Sequence, residues 1–282
     1  MSGQQISDAK IYFFVAVNWK GPSQFPVVFN NANRYAVRMK NFISPFLRAG
    51  IFAALLSVSA VFAENTAIVP APRDANWVKR HEGLVEETKA KKENVDLLFL
   101  GDSITDGWDG KGKATWDKFY VPRNALNLGI GGDRTQHVLW RLQNGEVDGL
   151  KPKVTVLLIG INNTPNEKDG TPRNTAPEII EGVTAVVKEI QTRMPKTKVL
   201  LLAVFPYKQK GDPMRDKVAE INKGISKLGK KKNVTVLDIN QKFLEPDGTL
   251  PTDIMPDLLH PNEKGYQIWA DAMEPTLKKL LK

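Results

Sequence analysis

A serine stands at the end of an apolar run in LLFLGDSITDGW, residues 97–108. The four apolar residues predict a strand buried on both faces, the type found in parallel sheets. Gly101 and Asp102 end that strand directly ahead of Ser103. Because ligands bind outside the carboxyl ends of the strands in an open α/β sheet, Ser103 is a candidate nucleophile. The competing interpretation is a cap of the following helix, a place that Ser and Asp often take.

A glycine-rich stretch, NLGIGGDRT, follows the next apolar segment. Its spacing does not fit a dinucleotide-binding loop, because Arg134 stands where the last glycine would be. Gly131 and Gly132 precede a predicted helix, so their backbone N–H groups could bind an anion. A tight turn that requires a positive φ angle is an alternative that is compatible with this use.

A third polar block, LLIGINN, places Asn162 and Asn163 after another apolar segment. Asparagine in a turn is usually structural, because its side chain bonds the local backbone. The Asn162 amide is nevertheless a candidate hydrogen-bond donor at the same edge of the predicted sheet.

His260 differs from the other two histidines, because it lies in a loop with Asp257 three residues earlier. A carboxylate at that spacing can fold back and hold Nδ1–H, which leaves Nε2 free as a base. A capping aspartate beside a surface histidine is the alternative. His81 and His137 lie in predicted helices, where we expect solvated or half-buried imidazoles.

Taken together, these residues can perform acyl transfer. A serine hydroxyl becomes nucleophilic when an imidazole that a carboxylate orients removes its proton. The backbone N–H groups of Ser103 and Gly132 and the side-chain amide of Asn162 would stabilise the oxyanion. The chain has three scattered histidines and no cysteine. We therefore expect no metal site, no cofactor and no disulfide.

The elements that position these residues alternate along the chain. Apolar segments predict five strands: Val95–Leu100, Ala125–Leu128, Val154–Ile159, Val199–Val204 and Val234–Ile239. Helical periodicity predicts five helices: Trp77–Lys91, Thr135–Asn144, Pro177–Arg193, Arg215–Leu228 and Glu263–Leu281. This alternation predicts one three-layer α/β/α domain around a parallel sheet.

Four blocks, GDSITDGW, GIGGD, GINN and D-x-x-H, resemble in order those of the SGNH (GDSL-type) hydrolases. The stretches WVKRHEGLVEETKAKKENVDLLFLGDSI and GIGGDRTQHVLWRLQNGE are similar to the catalytic subunits of intracellular platelet-activating factor acetylhydrolase. The resemblance extends from about Trp77 to the C-terminus. It implies a flavodoxin-like sheet with strand order 2-1-3-4-5.

The same resemblance assigns roles to individual residues. It implies Ser103 as nucleophile, His260 as base and Asp257 as the residue that orients the base. It also implies that Gly132 and Asn162 join the Ser103 amide in the oxyanion hole.

The beginning of the chain carries an export pattern. Residues 1–63 contain six Lys/Arg and one acid, and so hold five of the nine excess positive charges. Residues 39–63 combine a basic start, an apolar run and small residues before Glu64, which predicts a signal peptide cleaved after Ala63. A retained membrane anchor is the alternative, although the run is short for a spanning helix. Residues 1–38 fit no signal anatomy and indicate an over-extended start or a disordered lead. We expect an extended lead over 64–76 and the hydrolase domain over 77–282.

The expected protein is a secreted or periplasmic serine esterase that removes acetyl or other short acyl groups from carbohydrates or small molecules. A phospholipid or lysophospholipid acylhydrolase is an alternative, and a catalytically silent ligand-binding protein is another. We expect no nucleic-acid partner and no stable membrane insertion after processing, and a homodimer is compatible with the sequence. The polar loop 163–176 is the predicted mouth of the site and argues against a lipid substrate.

Overall fold

A five-stranded sheet organises the protein, as a computed structural model that describes residues 64–282 shows. All neighbouring strands are parallel, in the order β2-β1-β3-β4-β5, which confirms the predicted fold and strand order. The strands are β1 Leu97–Gly101, β2 Ala125–Gly129, β3 Val154–Leu158, β4 Lys198–Leu202 and β5 Val234–Leu237. The predicted signal peptide (39–63) and the preceding lead (1–38) lie outside the described residues.

The sheet is buried on both faces, as its sequence pattern predicts. Every residue of β1 and β3 is buried, although successive side chains of a strand point to opposite faces. Helices must therefore cover both faces. On the edge strand β5 Val234 is buried and the other three residues are half-buried.

The five predicted helices are present in the part of the chain that the structure describes, together with two short ones. They are α1 Ala75–Lys91, α2 Ser103–Asp106, α3 Lys113–Phe119, α4 Thr135–Gln143, α5 Ala176–Arg193, α6 Pro213–Ile225 and α7 Glu263–Leu281. Helices α4, α5 and α6 pack side by side, and α3 packs against α7. The sequence does not predict α2 and α3, because one or two turns are too short to show a helical period.

None of the helices within residues 64–282 combines the length and the apolar character that crossing a membrane requires.

Two glycines allow α2 to lie directly on the ends of β1 and β2. A Cβ atom at Gly129 would overlap the backbone nitrogen of Asp106 in α2, and one at Gly101 would overlap the Thr105 hydroxyl of the same helix. The absence of side chains there brings the turn that carries Ser103 into contact with the neighbouring strand ends.

A fully buried arginine stabilises the same edge of the sheet. The Arg141 guanidinium donates to the carbonyl oxygens of Leu128 at 2.9 Å and Gly101 at 3.2 Å, which belong to β2 and β1. It also pairs with the buried carboxylates of Asp133 at 2.8 Å and Glu146 at 2.5 Å. Arg141 thus links two strand ends to the loop that follows β2.

We expect Arg141→Met to lower the free energy of unfolding by about 3–5 kcal/mol, because two buried carboxylates lose their partner. Burial already raises the pKa of Asp133 to about 6, against the opposing effect of Arg141. Without Arg141 that pKa rises further, so the folded state binds more protons than the unfolded state. The loss of stability should therefore be larger at pH 8 than at pH 5.5.

Urea unfolding followed by tryptophan fluorescence measures both effects. Arg193→Met is the matched control, because its 2.7 Å pair with Glu189 lies near the surface and should contribute less than about 1 kcal/mol. Equal losses in the two variants would contradict the structural role of Arg141.

Candidate active site

The structure brings three predicted site residues into one chain of contacts. The Ser103 Oγ lies 2.9 Å from His260 Nε2. On the other side of the imidazole, Nδ1 lies 2.6 Å from Asp257 Oδ2. A hydroxyl, an imidazole and a carboxylate thus stand in the order that proton removal from a serine requires.

Asp102, and not Ser103, caps the short helix α2. Its Oδ1 accepts the Ile104 N–H at 3.0 Å, while Ser103 is the first helical residue. The capping interpretation therefore belongs to the aspartate, and the serine hydroxyl is available to His260. Asp102 is fully buried, and this burial raises the pKa of its carboxyl to about 7.

A tight turn holds Asp257 against His260. Asp257 Oδ1 accepts the backbone N–H groups of His260 at 2.7 Å and Leu259 at 3.1 Å. Leu258, which lies between Asp257 and Leu259, adopts a left-handed conformation with φ 62°. Partial burial alone would raise the pKa of Asp257, but the hydrogen bonds from His260 and Leu259 outweigh it and hold the pKa below its usual value. The carboxylate is therefore ionised and ready to orient the imidazole.

The glycine-rich loop lies beside the serine. A Cβ atom at Gly131 would stand 3.9 Å from the Ser103 Cβ, and Gly132 has a φ of 78° that favours glycine. Among the described residues, no acceptor pairs with the Gly132 N–H. The glycines therefore serve both interpretations, a tight turn and a backbone donor next to the candidate nucleophile.

Asn162 lies next to this loop. Its Nδ2 donates to the Asp133 carbonyl oxygen at 3.0 Å, one residue beyond Gly132. The main-chain carbonyl oxygen of Asn162 accepts from Arg173 Nη1 at 2.9 Å. The bond to Asp133 holds the half-buried side-chain amide beside the glycines and leaves it a second N–H.

Asn163 has the structural role that is usual for a turn asparagine. It is fully buried, accepts the Thr135 N–H at 3.0 Å, and donates to Gln136 and to Asn174.

The other two histidines are buried, so the expectation of solvated or half-buried rings is wrong. His81 stacks on the Trp77 indole with 6.1 Å between ring centres. His137 Nδ1 accepts the Arg134 N–H at 3.0 Å and so closes the first turn of α4. Burial, with help from nearby arginines, lowers the pKa of His137 to about 3, so its ring is neutral.

The predicted mouth loop 163–176 is polar but partly internal. Thr164 and Asn174 are buried. Glu167 bridges two arginines, at 2.6 Å from Arg134 and 3.3 Å from Arg173. The loop is thus held on the domain by paired charges. The sequence does not predict the pair between Arg134 and Glu167, because these residues are 33 positions apart and no short motif connects them.

No group of three or more His, Cys, Asp or Glu side chains that could hold a metal ion occurs within residues 64–282.

Comparison with known proteins identifies the family of the chain. The model of the GDSL-like lipase/acylhydrolase family matches residues 99–268, which include all the candidate site residues. The chain belongs to this family. It is 37% identical over 209 residues to the human platelet-activating factor acetylhydrolase IB subunit alpha2, a match that covers 74% of this chain and 86% of the relative. These matches confirm the predicted family and show an ester-hydrolysing enzyme.

Solved structures show the same fold. A GDSL-like lipase from Bacteroides thetaiotaomicron superposes with a TM-score of 0.56 at 20% identity, covering 72% of this chain and 96% of that one. An acetyl xylan esterase gives a TM-score of 0.54 at 22% identity and covers 64% of this chain and 98% of that one.

We expect Asp257→Asn to lower kcat by about 10³–10⁴ while the fold is retained, because an amide holds the imidazole in the wrong tautomer. Steady-state hydrolysis of nitrophenyl acetate measures the loss. Asp253→Asn is the matched control, since this acid pairs with Lys264 at the surface and makes no contact with His260. Similar kcat values for the two variants would contradict a role of Asp257 in orienting His260.

Proposed function

We propose that the chain is an exported serine esterase that hydrolyses acetyl and other short-chain esters of carbohydrates or small molecules. The observation that carries this proposal is the contact chain Ser103–His260–Asp257, with 2.9 Å and 2.6 Å between successive polar atoms. It stands at the carboxyl ends of the parallel strands, where α/β enzymes bind their ligands.

The first half of the proposed reaction transfers the acyl group to the enzyme. His260 Nε2 takes the proton of Ser103 as Oγ attacks the ester carbonyl carbon, and Asp257 stabilises the resulting imidazolium. The backbone N–H groups of Ser103 and Gly132 and the second N–H of Asn162 receive the negative oxygen. When the intermediate collapses, the ester C–O bond breaks and His260 returns the proton to the leaving alcohol.

The second half releases the acid. His260 removes a proton from water, and the hydroxide attacks the acyl carbon through the same oxyanion site. Breakage of the bond to Oγ, with return of the proton to Ser103, regenerates the enzyme. No further reactant is required.

Polar and exposed surroundings support a short acyl group. The His260 side chain is 43% exposed and that of Asp257 is 55% exposed. The neighbouring side chains Asn162 and Arg173 offer hydrogen bonds and little apolar area. The curated relatives carry the name acetylhydrolase, which supports an acetyl group on the acyl side.

A lipid substrate is the second candidate, and the relationship to platelet-activating factor acetylhydrolase subunits favours it. The alcohol side of that substrate class is a phospholipid, whereas the polar loop around Glu167 is better matched to hydroxyl groups. The signal-peptide pattern over 39–63 supports export and sets this chain apart from a cytosolic enzyme.

Ser103→Ala should lower kcat by up to about 10⁶, because the members of such a triad act as a unit. A fluorophosphonate should add one label to the exported wild type, located on Ser103 by peptide mapping, and none to the variant. A label on another residue, or normal turnover of the variant, would overturn the assignment of the nucleophile.

The same wild-type sample also tests cleavage of the signal peptide, because its intact mass should correspond to a chain that begins at or near Glu64.

We expect kcat/KM to be highest for acetyl or propionyl nitrophenyl esters and to fall beyond butyryl. A long acyl groove would add about 0.8 kcal/mol for each buried CH₂ and would make the rate rise with chain length. Hydrolysis of esters from two to twelve carbons, beside acetylated xylose and a lysophospholipid, measures the preference. Higher kcat/KM for octanoyl or longer esters would favour the lipid candidate.

A further inference from the structure

Arg73 lies in the segment before α1, outside the part of the chain that the family model matches. Its backbone is held on both sides. Asp74 caps α1 by accepting the N–H groups of Asn76 at 3.0 Å and Trp77 at 3.2 Å. Two residues earlier, the Ala71 N–H donates to the Gln136 carbonyl oxygen at 3.2 Å. The arginine is thus a fixed part of the domain surface.

The guanidinium of Arg73 contacts the glycine loop of the site. Its Nη1 donates to the Gly131 carbonyl oxygen at 2.7 Å and lies 3.6 Å from Asp133 Oδ1. A Cβ atom at Gly132 would stand only 3.1 Å from the same nitrogen. The guanidinium therefore lies directly against the peptide that joins Gly131 to Gly132.

The Gly131–Gly132 peptide carries both the acceptor for Arg73 and the proposed donor to the oxyanion. Its carbonyl belongs to Gly131 and its N–H belongs to Gly132, and in a planar trans peptide these groups point in opposite directions. Flanked by two glycines, the peptide plane has little steric resistance to rotation. A rotated plane would turn the Gly132 N–H away from the oxyanion and present a carbonyl oxygen to it.

We propose that Arg73 is a positioning residue that holds the Gly131–Gly132 peptide with its N–H directed at the oxyanion. The hydrogen bond to the Gly131 carbonyl fixes one end of the peptide and thereby the direction of the other. It also polarises the amide, which strengthens the N–H as a donor. This inference rests on the proposed function, in which Gly132 supplies one of three oxyanion donors.

Arg73→Met removes the hydrogen bond and the charge and keeps much of the apolar stem. We expect kcat for nitrophenyl acetate to fall about 10–100-fold, less than the loss of an entire oxyanion donor, while KM stays within about twofold. Arg73→Lys should recover part of the loss, because an ammonium can still donate to the Gly131 carbonyl. Arg80→Met is the matched control, since Arg80 pairs with Asp106 at 3.4 Å near the same surface and should leave kcat unchanged.

Inhibition by a boronic acid distinguishes a positioning role of Arg73 from a purely structural one. Phenylboronic acid adds to a serine Oγ as a tetrahedral anion, so one of its oxygens occupies the oxyanion position. We expect its inhibition constant to rise in Arg73→Met by the same factor by which kcat falls, and the urea midpoint to differ little from that of Arg80→Met.

Several results would overturn the inference. These are an unchanged kcat, a rise of KM alone (a substrate-binding arginine), or a loss of kcat with normal affinity for the boronic acid. If Arg73→Met does not fold, Arg73→Lys and Arg73→Gln decide by the same measurements. Labelling of Ser103 by the fluorophosphonate separates a failure of the proposed function from a failure of this inference. If the wild type is not labelled, the proposed function is refuted. If it is labelled and the Arg73 variants keep the wild-type kcat, only the positioning role is refuted.

Discussion

The arrangement of the strand ends depends on the interactions of the buried Arg141 guanidinium. Ionised groups are costly to bury, and Arg141 is tolerated because Asp133 and Glu146 supply opposite charges and two carbonyl oxygens accept further N–H groups. Since those carbonyls belong to β1 and β2, one side chain sets the distance between the turn that carries the serine and the glycine loop. The same Asp133 accepts the Trp77 indole N–H at 2.6 Å, which extends the network to α1.

The candidate site has two halves with different kinds of support. The half with Ser103, Gly132 and Asn162 stands on buried strand ends and on backbone hydrogen bonds. The half with Asp257 and His260 is one short turn ahead of α7, held by two N–H bonds to a single carboxylate. Within residues 64–282, the hydrogen bond between Ser103 and His260 joins these two half-sites.

Much of this arrangement can be predicted from the sequence, for identifiable physical reasons. Buried parallel strands are continuous apolar runs, so all five are predicted, with boundaries that differ from the observed ones by at most two residues. The residues of the contact chain lie in local motifs, and the short spacing between Asp257 and His260 already determines their contact. The short helix α2 is not predicted because one turn is too short to show a helical period, and the burial of His81 and His137 is not predicted because it depends on partners distant in the chain. The same is true of Arg73, whose neighbour Gly131 is 58 residues away.

The exposure of His260 has a consequence for the fate of an acyl group bound to the enzyme. An imidazole that is 43% exposed meets bulk solvent directly, so water for the second half of the proposed reaction would need no channel or lid. The same opening admits any small alcohol dissolved in that solvent. An acyl group on Ser103 would then be partitioned between hydrolysis and transesterification according to the concentrations of water and alcohol at the surface, which makes the solvent composition a determinant of the product.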